Sequence, residues 1–244
     1  MSFSQQYHEH IASTLNKVLE KQRENLQSAA SHMADAIESG GLIHVFGCGH
    51  SHMLAEEMFY RAGGLVDIDP IFDSSVMLHE GAAKSSQIER LSGIAAHLLS
   101  RYPVRRGDVL LVSSTSGINS YPIEMAIAAK EKGCFVIGIT SMDYARLKSR
   151  HPSQKHLFDV CDLAIDNYVK QGDACVCLND KGVYAGPISS ISTFFIANIM
   201  ILETCQILMS HGKEPRIFTS GNLEGADEIN SEYISAYQER IKHL

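Results

Sequence analysis

The 244 residues contain no tryptophan, and lysine plus arginine (21) fall short of aspartate plus glutamate (28), which leaves a formal net charge of −7. With no Lys/Arg cluster to offset that balance, nucleic acid and anionic membrane surfaces are poor partners. A small anion remains compatible, because main-chain N–H groups hold phosphate without any basic side chain. No apolar run reads as long enough to cross a bilayer, and the polar start MSFSQQYHEH does not read as a signal peptide. Cysteine is present at 48, 134, 161, 175, 177 and 205, mostly within apolar stretches and with no C-x-x-C pair. Such spacing points to reduced, partly buried thiols of a cytoplasmic protein. Cys175-Val-Cys177 offers two thiols but no further ligands, and His151 and His156 flank Pro152 without a convergent third group, so neither metal nor cofactor is expected.

Short apolar runs alternate with helical patterns. Residues 5–39 carry a stripe of Ile11, Leu15, Val18, Leu19 and Leu26 before Gly40-Gly41, and predict one or two helices. Strands are expected at 42–47, 64–70, 108–114, 134–141 and 162–166. Helices are expected at about 51–62, across most of 76–100, at 122–133, at 192–209 and at 226–243. That alternation predicts one α/β domain over 1–244. The expected architecture is a doubly wound, five-stranded parallel sheet flanked by helices, with N-terminal helices preceding it. Ligands in such sheets bind beyond the carboxyl ends of the strands. Two loops there are informative.

Gly47-Cys48-Gly49-His50-Ser51 has the glycines of a dinucleotide fingerprint, with Asp67 and Asp69 about twenty residues on. His52 occupies the third glycine position, where a side chain obstructs helix–strand packing, and this argues against a dinucleotide. The second loop, VSSTSGINS at 112–120, sets Ser113, Ser114, Thr115 and Ser116 in succession before Gly117. One hydroxyl would cap the following helix. Four in succession suggest an oxyanion ligand at the helix start.

Together, G-x-G-x-S after the first strand and S-x-S-G (Ser114-Thr115-Ser116-Gly117) after a later one resemble the sugar isomerase (SIS) domain. The resemblance covers roughly 38–210. GHSHMLAEEMFYRAGG and MLHEGAAKSSQIERL are particularly similar to a bacterial group related to phosphoheptose isomerase. It implies a phosphorylated sugar or amino sugar as ligand, held by Ser51, Ser114, Thr115 and Ser116, and a homodimer or homotetramer. The family holds aldose–ketose isomerases, an etherase acting on an amino-sugar phosphate, and regulators that bind without chemistry; all three remain open. One departure is Ile118, which makes the loop Gly117-Ile118-Asn119-Ser120 where phosphoheptose isomerase has S-G-N-S.

Enolisation of a sugar needs a group that moves protons between adjacent carbons. His52 and Glu56 lie four apart at the start of the first core helix, although Glu56 could equally pair with Arg61. His79 and Glu80 precede Gly81, which leaves room for a ligand, although Glu80 and Lys84 could form an ordinary helical pair. Glu80, with Glu56 as rival and His79 as acid partner, is the expected base. By the same resemblance a catalytic histidine belongs in the helix at 192–209, but none occurs there before His211.

Overall fold

A computed structural model describes residues 1–244. Helices α1 (Phe3–Lys21) and α2 (Arg23–Glu38) lead into β1 (Ile43–Gly47) and the short α3 (Met53–Met58). There follow β2 (Ile68–Pro70), α4 (Ala82–Ile88), α5 (Ala95–Leu99), β3 (Val109–Ser113), α6 (Ser120–Glu131) and β4 (Phe135–Thr140). The chain continues through α7 (Leu157–Val160), β5 (Leu163–Asp166), β6 (Ala174–Cys177), β7 (Tyr184–Pro187), α8 (Ser189–Ser210) and α9 (Ala226–Tyr237).

Five parallel strands form one sheet in the order β2-β1-β3-β4-β5. Period-two alternation divides its side chains between two faces. Ile43, Val45, Val109, Leu111, Ile137 and Ile139 pack with α2, α3 and α8, while Phe46, Leu110, Val112 and Val136 pack with α5, α6 and α7. Both faces are therefore covered, which is why β1 and β3 are buried at every position. The strand order reverses between β1 and β3, and Gly47 is in register with Ser113. The loops after these two strands thus leave the sheet side by side, at the topological switch point where open α/β sheets bind ligands.

Several expectations need correction. The seven-residue strand at 64–70 pairs only over its last three residues, because Leu65 instead sits opposite Ile217 of the chain returning after α8, with Val66 N donating to Arg216 O and Phe218 N to Gly64 O. The segment 76–100 is not one helix. It breaks at Gly81 (φ 131°) and Gly93 (φ 90°), which adopt conformations that end a helix, and only 82–88 and 95–99 are α-helical. The first core helix is a 3₁₀ turn over 49–52 and then α3, ending at 58 rather than 62. The antiparallel hairpin β6–β7 lies outside the five expected strands.

The 22-residue α8 also overturns one reading, since it is long and apolar enough to cross a bilayer. Its inner residues Ile196, Ala197, Met200, Ile201 and Leu208 are buried in the core beside α2, the place of a core helix.

Candidate functional site

Gly47 makes the first turn possible. A Cβ there would lie 2.2 Å from the Ser51 carbonyl oxygen and 2.9 Å from the His52 nitrogen, so only hydrogen lets the chain double back directly after β1. Gly117 (φ 60°) does the same after β3, where a Cβ would sit 2.6 Å from Thr140 Oγ1. Between these turns lies a cleft of ≈ 290 Å³, close to the lower end, about 300 Å³, of typical small-ligand pockets.

One wall comprises Cys48, Gly49, His50 and Ser51, and a second comprises Ser114, Thr115, Ser116 and Asn119. Leu78, Ser85, Ser86 and Glu89 close it from the α4 side, and Tyr144, Asp173 and Ser189 from the opposite side. No lysine or arginine lines it. A narrow crevice leads on from His50 and Ser51 to Ser190 and Thr193 in the first turns of α8.

The hydroxyls divide by what they already do. Ser114 Oγ accepts from Gly117 N at 3.3 Å, and Thr115 Oγ1 accepts from Asn167 Nδ2 at 3.2 Å, so both brace the loop. Ser51 and Ser116 line the cleft without an intramolecular partner for their hydroxyls. The main-chain N–H groups of Thr115 and Ser116 also have no acceptor in the chain, whereas Ser114 N is tied to Ile139 O at 3.0 Å. Two free amides and the free Ser116 hydroxyl just before α6, with the free Ser51 hydroxyl on the facing wall, are the equipment that holds an oxyanion.

The structure brings Ser51, Ser114, Thr115 and Ser116 to one cleft and leaves Glu56, His79 and Glu80 out of its lining. The Glu56 side chain is 51 % exposed and faces the buried His52, Nδ1 to Oε1 at 3.4 Å. The partner of Arg61 is Glu57, at 2.8 Å, not Glu56. His79 and Glu80 belong to a 3₁₀ turn over 78–80, whose Leu78 alone reaches the cleft.

Two carboxylates line the cleft, Asp173 and Glu89, the latter at the C-terminal end of α4. Asp173 is engaged by the start of α8, through Ile188 N and Ser189, whereas the side chain of Glu89 makes no such bond to the main chain. Burial pushes the Glu89 carboxyl up from the ordinary range, opposed by the Asn119 side chain and by Arg150 and Arg90. The available signal was the Ser85/Glu89 spacing of four, which puts hydroxyl and carboxylate on one helical face. Nothing local showed that this face turns inward. His50 and Tyr144, the second holding Gly172 N at 2.9 Å through its hydroxyl oxygen, were likewise missed. So was Asp173, a residue at φ 63° whose carboxylate accepts from Ile188 N and Ser189 N at 3.0 and 2.8 Å and caps α8.

The acidic pair of the dinucleotide reading is committed elsewhere. Asp69 accepts from His44 at 2.8 Å, while Asp67 binds Arg216 and the Tyr237 hydroxyl, each at 2.7 Å. The buried His52 fills the space a third glycine would leave open.

A family model described as "SIS domain" matches residues 6–141. A UPF0309 protein of Geobacillus kaustophilus is 45 % identical over 240 residues, spanning 98 % of this chain and 96 % of its own. Among solved structures, a phosphoheptose isomerase from Francisella tularensis superposes with a TM-score of 0.54 at 16 % identity, covering 82 % of this chain and 95 % of its own. A phosphoheptose isomerase from Neisseria gonorrhoeae gives 0.51 at 20 % identity, with coverage of 86 % and 100 %. At such identities the likeness concerns the fold.

Proposed function

The chain belongs to the SIS-domain family, and from that premise we propose that its cleft binds a phosphorylated sugar or amino sugar and catalyses aldose–ketose isomerisation or a related enolisation. The phosphate sits against Ser51 and the 114–116 loop, held by the free amides of Thr115 and Ser116 and by the Ser51 and Ser116 hydroxyls. Glu89 takes the proton from the carbon next to the carbonyl, and His50, in the same cleft, returns a proton to oxygen. The observation that carries the reading is Glu89 itself: a carboxylate whose proton affinity is raised by burial, in the same cleft as the unpartnered hydroxyls and amides. A carboxyl raised toward neutrality is a stronger base than an ordinary one, and the phosphate anchor determines which carbon it meets. The protein works as a cytoplasmic homo-oligomer.

A second reading, a sugar-phosphate-binding regulator without chemistry, is favoured by one observation. The first histidine after the α8 core, His211, pairs with Glu38 at 2.8 Å at the helix's far end, remote from the cleft. A thermal-shift panel of pentose, hexose, heptose and amino-sugar phosphates, followed by proton NMR of each stabilising compound in D₂O, separates the two. Loss of the C2 proton signal supports the enzyme; stabilisation without exchange supports the regulator.

A further inference from the structure

Asp173 and Ser189 form one hydrogen-bonded unit on the wall of the cleft that also carries Tyr144. Asp173 Oδ1 accepts from Ile188 N at 3.0 Å and from Ser189 N at 2.8 Å, and Oδ2 accepts from Ser189 Oγ at 2.5 Å. A serine hydroxyl has one hydrogen and two lone pairs. Here the hydrogen is committed to the carboxylate, so Ser189 can offer a ligand only lone pairs. The carboxylate is itself acceptor-only. The unit therefore presents acceptors and negative charge to whatever enters the cleft.

Its placement is fixed from several elements. Asp173 closes a turn through its own N–H to Lys170 O at 3.0 Å, and holds φ 63°. That turn is tied to the segment after β4 by Gln171 N, which donates to Asp143 Oδ2 at 2.8 Å, and by Gly172 N, which donates to Tyr144 Oη at 2.9 Å. Ser189 is the first residue of the 22-residue α8, so a core helix sets its position. The α8 dipole stabilises the Asp173 anion but supplies only about half a positive charge. No lysine or arginine lines the cleft to cancel the remainder.

We propose that the Asp173–Ser189 pair is the specificity determinant that reads the part of the ligand remote from its phosphate. It accepts hydrogen bonds from hydroxyls or from an ammonium, and it rejects a second anionic group, because like charges brought together without a counter-charge are strongly disfavoured. The inference rests on the reading of the cleft as a sugar-phosphate site. It narrows the ligand class to monophosphorylated sugars whose other substituents are neutral or cationic, and excludes sugar bisphosphates and phosphorylated sugar acids.

The test is a charge series on one six-carbon skeleton. Glucosamine 6-phosphate, glucose 6-phosphate and 6-phosphogluconate are titrated calorimetrically at neutral pH, with inorganic phosphate as baseline. In the wild type the first two should bind more tightly than inorganic phosphate, and 6-phosphogluconate at least about tenfold more weakly than glucose 6-phosphate. Asp173→Asn should fold, because asparagine also tolerates a positive φ and its Oδ1 can keep both α8 amides. Its Nδ2 would donate to Ser189 Oγ, which frees the serine hydrogen and removes the charge. The gap between glucose 6-phosphate and 6-phosphogluconate should then shrink to within a few-fold, with inorganic phosphate unchanged. Ser189→Ala, which keeps the main-chain bonds to Asp173, should weaken glucose 6-phosphate by roughly tenfold and inorganic phosphate not at all. Equal affinities across the series in the wild type, or a gap that survives Asp173→Asn, overturn the proposal. A parallel loss of inorganic phosphate in Ser189→Ala overturns it too. Failure of the underlying reading looks different: neither inorganic phosphate nor any sugar phosphate binds the wild type, and the proposal falls with it.

Discussion

Ser116→Ala should cut affinity for a sugar phosphate while leaving the fold alone, and its neighbour Ser114→Ala should not separate the two effects. Ser116 Oγ has no partner in the chain and lines the cleft, so its removal breaks no internal bond. A hydrogen bond to a charged oxyanion contributes about 1.5–3 kcal/mol, which at about 1.4 kcal/mol per decade means roughly 10- to 100-fold weaker binding. Ser114 is nearly buried and accepts from Gly117 N at 3.3 Å. Its alanine variant leaves that amide unpaired in the loop, so about 1 kcal/mol of stability should go as well as affinity. The assay is isothermal titration with fructose 6-phosphate, glucosamine 6-phosphate and inorganic phosphate, paired with denaturant melts of both variants. Wild-type affinity in Ser116→Ala for every compound that binds, or a loss of stability as large as in Ser114→Ala, would refute the division of labour among the hydroxyls.

Other perturbations probe the frame around the cleft. Gly47→Ala should destabilise by more than about 1–3 kcal/mol and abolish ligand-induced thermal shifts, because its Cβ meets the main chain of Ser51 at 2.2 Å. Gly49→Ala, whose Cβ meets nothing closer than 4.0 Å, should carry only the strain of φ 58°, about 1–2 kcal/mol, and soluble Gly47→Ala of near-native melting point would contradict the contrast. His44 is buried between Asp69 and Asp108; burial alone would lower its pKa, but the hydrogen bonds to Asp108 and Asp69 outweigh burial and raise it above 6.5. Its contribution to stability is thus complete below pH 6.5 and lost as pH rises through the raised value. Melting temperature should fall in the wild type as pH rises from 6.5 through the raised value and fall less in His44→Gln, and parallel curves would exclude the effect. Leu202 and Met209, 68 % and 66 % exposed on the outer face of α8, should be covered by a second copy. Light scattering should find Leu202→Glu lighter than the wild type, and a monomeric wild type would end that expectation.

What was legible in the sequence followed the range of the signal. Strands β1 and β3 are buried on both faces, so short, mostly apolar runs marked them whatever surrounded them, His44 being the one polar side chain inside β1. The two glycine–hydroxyl turns were legible for the same reason, since the backbone conformation and the donors are encoded within five or six residues. The helix over 76–100 failed because its apolar spacing said nothing of Gly81 and Gly93 taking positive φ. Glu89 was passed over in favour of Glu80 and Glu56 because what distinguishes it is supplied by other elements: Asn119 and Arg150 come from 30 and 61 positions further along. A charged residue near a helix end looks the same in sequence whether it faces solvent or a cleft.

The central claim is that Glu89 is the proton acceptor of a sugar-phosphate enolisation, and C2 proton exchange in D₂O tests it most directly. With the best-stabilising sugar phosphate as substrate, Glu89→Gln should lower the exchange rate by about 100-fold or more while leaving affinity within a few-fold of the wild type. Glu56→Gln and Glu80→Gln, both outside the cleft lining, should exchange at close to the wild-type rate. Undiminished exchange in Glu89→Gln, or its loss in Glu80→Gln or Glu56→Gln instead, would contradict the account.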